Sequence, residues 1–154
     1  MMDMAVWRDY LQLLDQLGET MERLTVIERE KTAAVSQGAL DKVEACMKQE
    51  QVISLSLRGM EQKRGKMLEQ LGLKGVPLRE LEERGPRESH LETKAVVERL
   101  RRRYEVFQSA SEVARNTLEC NLRTIENIQK AVEDQAAQGG PPPEGQPRQA
   151  DFRA

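Results

Sequence analysis

One histidine, His90, and two cysteines, Cys46 and Cys120, supply all the imidazole and thiol chemistry of this chain. A single imidazole cannot build a Ser-His-Asp triad together with a multi-histidine metal site, and here no Cys lies at ligand spacing from another. The two thiols read as reduced side chains in or near the core. His90 opens a helical stretch in polar surroundings and reads as an exposed histidine. Between Gly59 and Met67 the glycines and Lys66 resemble a phosphate-binding loop, which needs two glycines five apart and a hydroxyl after its lysine. Here the gap is one residue longer, and Met67 stands where the hydroxyl belongs. The many carboxylates alternate with Lys and Arg at helical spacings, the pattern of solvated faces rather than of a catalytic pair. Arg99, Arg101, Arg102 and Arg103 are interleaved with Glu98 and Glu105, and read as a solvated helix face rather than a phosphate patch. The expectation is a protein without catalytic residues, metal ligands or cofactor.

Chemistry of another kind runs from Val97 to Val132. Every third or fourth residue there is Val97, Leu100, Tyr104, Phe107, Ser111, Ala114, Leu118, Asn121, Ile125, Ile128 or Val132. All but Ser111 and Asn121 are apolar, and no Gly or Pro interrupts Arg87 to Gln138. Such spacing places the set on one side of a single helix, which something must cover. Asn121 within that seam either fixes register, as a buried Asn does in a coiled coil, or bonds a partner's backbone.

The elements that must position this stripe are all helical. Charged residues make up 32% of the 154-residue chain and aromatics 3%, net charge is -2, and mean hydropathy is -0.67. Good helix formers dominate, and alternating strand patterns are missing. The near-neutral charge gives no reason to expect nucleic acid. No apolar run approaches the roughly 20 residues of a membrane span, and no apolar leader opens the chain, so a cytoplasmic location is expected.

Along the chain, Trp7, Leu14 and Met21 repeat every seven residues beside Tyr10, Leu17 and Leu24, predicting a first helix from about Asp3 to Val35. Gly38 suits a left-handed helix end. A second helix runs from Leu40 to Leu71, with Met47, Met60 and Met67 read as core filling, and ends at Gly72. A short helical turn follows over Pro77 to Arg84. The third long helix starts near Glu88 or Ser89 and reaches about Glu133. The fold class is therefore all-α: an elongated antiparallel bundle of three long helices with a short helical connector before the third. It fills a domain over residues 1–138, and the Pro-rich segment 139–154 is expected to be a disordered tail. At 1.5 Å per residue the first two helices span about 50 Å each and the third about 65–70 Å. The third should overshoot the Gly38 turn by roughly ten residues, leaving Leu122, Ile125, Ile128 and Val132 uncovered. Val97 to about Leu118 should be core.

The order of features resembles a known family. Glu28, Glu30-Lys31 and Ala33-Ala34 precede Ser36-Gln37-Gly38-Ala39-Leu40-Asp41. Lys48, Glu50 and the run Leu57-Arg58-Gly59-Met60-Glu61-Gln62-Lys63-Arg64 follow, then Met67-Leu68-Glu69-Gln70-Leu71-Gly72, and later Asn116-Thr117-Leu118 and Asn121-Leu122. Over about residues 5–132 this is similar to the FlgN family of flagellar export chaperones; the Pro-rich tail is outside the pattern. The resemblance implies a cytoplasmic chaperone of the flagellar type III export system that keeps hook–filament junction proteins unpolymerised and delivers them to the export apparatus. It implies client contacts at Asn116, Leu118, Asn121, Leu122, Ile125 and Ile128, and the overshoot adds Val132. Burying about four aliphatic side chains there would contribute on the order of 6–10 kcal/mol before ordering costs. The alternative is a coiled-coil adaptor or self-associating scaffold, forming a homodimer through the same stripe.

Overall fold

The computed structural model describes residues 3–138; segment 139–154, where a tail is expected, lies outside the described residues. Helix α1 is Met4–Gln37, α2 is Leu40–Gln70, and α4 is His90–Ala137; between the last two lie a 3-10 turn at Leu78–Glu80, a single-turn helix α3 at Leu81–Arg84, and a second 3-10 turn at Arg87–Ser89. This is the expected all-α arrangement, with the connector where Pro77 and Pro86 start its turns.

The helix ends follow from local chemistry. The Asp3 carboxylate accepts from the Ala5 N–H at 2.9 Å and caps α1. Gly38 ends α1 at φ 68°, a left-handed conformation that a side chain would strain. The Ala39 N–H reaches back to the Ala34 carbonyl at 2.9 Å, which satisfies an orphan acceptor of the last turn.

The three long helices run up, down and up, and α1 is the middle one: both α2 and α4 pack on it. Its row of Asp9, Gln12, Gln16, Glu19 and Arg23 faces solvent. The core is gathered at the end where α1 begins. Trp7, Tyr10, Leu11, Leu14 and Leu17 meet Leu68 and Leu73 from the end of α2, Leu81 from α3 and Val96 from α4. Toward the Gly38 turn the seams thin to Ala34, Val35, Cys46, Ala110 and Ala114.

Trp7 is the hub. Its ring is fully buried and lies 5.9 Å from that of Tyr10. Its indole N–H donates to the Thr93 hydroxyl at 3.2 Å, satisfying the polar end of an otherwise apolar side chain. Gly85, just after α3, sits directly against the indole, so a Cβ there would overlap the Trp7 ring. Gly85→Ala is therefore expected to destabilise the protein by about 1–3 kcal/mol through overpacking, read as a lower midpoint in urea with unchanged slope.

Several expectations need correction. Val97–Leu118 is not uniformly core: of α4 only Thr93, Val96, Ala110 and Ala114 are buried, and Tyr104 and Leu118 are 47% and 39% exposed. The face that touches α1 carries Leu100 and Phe107 in its first half and narrows to small residues toward the Gly38 turn, where the helices approach closely, while Tyr104 and Leu118 lie to one side. Met60 and Met67 pack against the core, but Met47 is exposed. Cys46 is buried as expected, whereas Cys120 is exposed; both are free. Two of the four arginines are staples between helices rather than simply solvated. Arg99 reaches Asp15 at 3.1 Å and Arg103 reaches Glu22 at 2.9 Å, its side chain crossing α1 over Gly18.

Candidate protein-binding surface

Asn121 sets where α4 leaves the body of the protein. Its side-chain amide donates to the Val35 carbonyl at 3.0 Å, in the last turn of α1. That carbonyl also accepts from the Gly38 N–H at 3.2 Å. Of the two roles open to a seam asparagine, the register role is the one occupied here, with a neighbouring helix end as its partner.

Beyond the level of the Gly38 turn, α4 continues for about 20 Å with neither α1 nor α2 beside it. This overhang is longer than the ten residues expected. On it and at its root, Leu118, Leu122, Ile125 and Ile128 are 39%, 51%, 43% and 45% exposed. Val132 continues their face and is half-buried, whereas Asn116 is exposed on the other side of the helix. The structure thus brings Leu118, Asn121, Leu122, Ile125, Ile128 and Val132 onto one flank and leaves Asn116 off it.

Two features were missed in the sequence. Val106 and Val113 form a second exposed apolar pair on the opposite flank of α4. Between α2 and α4, over Leu17 and Met21 of α1, lies a cavity of about 330 Å³ walled by Arg64, Val76, Leu78, Leu100 and Tyr104. Tyr104 was readable as a stripe residue, but a gap between two helices has no sequence signal.

The electrostatics of the body differ from those of the overhang. Near the Gly38 end, Lys31 bridges Glu28 at 3.3 Å and Glu50 at 2.7 Å, linking α1 to α2. Burial, aided by Glu50, pushes the Glu28 carboxyl above its ordinary value, with Lys31 opposing the rise. Burial also raises the neighbouring Cys46 thiol, so it is held protonated. At the far end, His90 Nε2 lies 3.0 Å from Glu82, bracing the start of α4 against α3. On the overhang Glu119, Glu126 and Glu133 repeat every seven residues along the solvent-side border of the apolar flank.

Among the described residues no three His, Cys, Asp or Glu side chains are grouped as metal ligands, and no helix is long and apolar enough to cross a membrane. What the arrangement does offer is an apolar helical flank on which another protein segment can pack. A family model described as FlgN protein matches residues 4–143. No curated protein and no solved structure matches the chain.

Proposed function

Since this chain belongs to the FlgN family of flagellar proteins, whose general role is as chaperones of flagellar export, we propose that it acts in the cytoplasm, binds hook–filament junction proteins through the overhanging part of α4, and holds them unassembled until they reach the export apparatus. The observation that carries this reading is the run Leu118, Leu122, Ile125 and Ile128. These four side chains are each about half exposed on a helix that has outrun its neighbours. A disordered client segment would fold against them as a helix, covering the face without cofactor or nucleotide.

Magnitude shapes the reading. Because the four side chains are already about half covered, their further burial contributes about 3–5 kcal/mol. This is below the 6–10 kcal/mol expected when the stripe is taken as bare. Association and ordering cost at least about 4 kcal/mol. The overhang is therefore an anchor, and a client held firmly must also touch other parts of the surface.

Calorimetric titration of C-terminal fragments of hook–filament junction proteins tests the assignment. Ile125→Asp places a charge in the buried centre of the contact without touching the core, and should weaken binding by about tenfold or more. Equal affinity for wild type and variant would remove the overhang from the function. The self-associating scaffold uses the same flank in a second copy. Light scattering over a range of concentration separates the two, since only the scaffold gives a dimer that persists on dilution and is broken by Ile125→Asp.

A further inference from the structure

The α1-facing seam of α4 is Leu100, Arg103, Phe107, Ala110, Ala114, Thr117 and Asn121, at alternating steps of three and four. One position round from that seam, every seventh residue is Tyr104, Ser111, Leu118, Ile125 and Val132. Tyr104 lines the cavity between α2 and α4, so this row lies on the flank of α4 that faces α2. The exposed overhang and the cavity are thus two ends of one lateral strip. From Tyr104 to Ile125 it is about 32 Å long, and α2 does not close over it.

Charge on the two borders of the strip is unequal. Next to it, on the same side, come Arg101 and Arg115, both exposed, and among the described residues neither is in an ion pair. The acidic row Glu105, Glu112, Glu119, Glu126 and Glu133 lies farther round, toward solvent. At the cavity end the α2 wall is Glu61 and Arg64, already paired at 3.1 Å. The charges nearest the strip between Tyr104 and Leu118 are therefore positive, with the acidic row one step behind them.

We infer that the cavity between α2 and α4 is the inner end of the client groove, and that its occupant is an amphipathic client helix of about six turns. Its apolar face would run from Ile125 to Tyr104, and its acidic flank would lie against Arg115 and Arg101. This rests on the chaperone reading above and extends it, because it supplies the contact area that the overhang lacks. A large apolar side chain of the client fills the cavity beside Leu100 and Tyr104. The two arginines orient the helix, and salt weakens their contribution.

The test uses the full chain and the same junction-protein fragments, titrated into wild type, Ile125→Asp, Tyr104→Asp and Arg101→Glu/Arg115→Glu. Tyr104 is about half exposed and the arginines are exposed, so these variants should keep their helical content and thermal midpoint. A loss of about tenfold for Tyr104→Asp, with a weaker salt dependence in the arginine variant, supports the groove. If Ile125→Asp loses binding while Tyr104→Asp and the arginine variant match wild type, the groove is overturned and the overhang reading survives. If all three variants bind as wild type does, both are overturned.

Discussion

Trp7→Ala should cost about 3–5 kcal/mol and bring the protein close to unfolding at physiological temperature. Trp7 ties α1 to the connector and to α4, its buried ring lying against the glycine backbone at 85 and its N–H on the Thr93 hydroxyl. The substitution opens a cavity at the only place where the core is broad, and it leaves the Thr93 hydroxyl without its donor. No compensating mass lies nearby, because the rest of the fold is a thin two-seam assembly around α1. Urea unfolding followed by far-ultraviolet circular dichroism measures the loss. A cost below about 1 kcal/mol would show that the wide end is not the stability centre. Trp7→Phe should recover part of the loss, since it restores ring volume but not the N–H.

The second large effect is expected at Lys31. Among the described residues its ammonium is the one cation paired with Glu28 and Glu50, with side-chain exposures of 16%, 7% and 23% in that order. Lys31→Met leaves two partly buried carboxylates facing each other, at a cost of about 2–3 kcal/mol at neutral pH. That is somewhat below the figure for a fully buried pair, because Lys31 and Glu50 retain some exposure. The sign with pH is definite. A carboxyl whose folded pKa is raised weighs against the folded state above that pKa and is relieved as pH falls through it. Glu28 is such a group in the wild type, and removing Lys31 raises it further. The deficit of Lys31→Met should therefore be greatest at neutral pH and shrink on acidification, Glu28 being the first to take up a proton. Glu28→Gln should be nearly neutral at pH 7, since Lys31 and Glu50 remain as a balanced pair. A Lys31→Met deficit that does not change with pH would exclude this account.

The elements were legible in the sequence because their ends carry strong local signals. Gly38 and Gly72 have positive φ, and Pro77 and Pro86 set the starts of the connector turns. The overshoot of α4 was legible from length alone, since a helix rises by a fixed amount per residue. What failed was the choice of face. A stripe read from large apolar residues selects Tyr104 and Leu118. Toward the Gly38 turn the surface that docks on α1 instead uses Ala110, Ala114, Thr117 and Asn121, whose short side chains allow close approach. The two faces differ by one position in seven, within the breadth of an apolar stripe. The sparse burial of α2 was hidden for a similar reason: its apolar residues suit a helix packed on both sides, but only α1 packs on it. The partner of Asn121 is a backbone carbonyl 86 residues earlier, and no local pattern encodes that pairing.

The parallel course of α1 and α4 also sets an order of assembly. Every tie across that seam joins residues 81 to 86 apart in the chain, from Trp7–Thr93 to Val35–Asn121. The α1–α2 hairpin, by contrast, closes around a turn of two residues. Loop closure favours the hairpin as the early event, and the long-separation contacts form later and more slowly. During synthesis the hairpin emerges with its apolar side bare, and α4 reaches it only after its first turns have left the ribosome. The overhang follows the body in the chain, so a nascent chain gains its binding flank only once the body that carries it has been made.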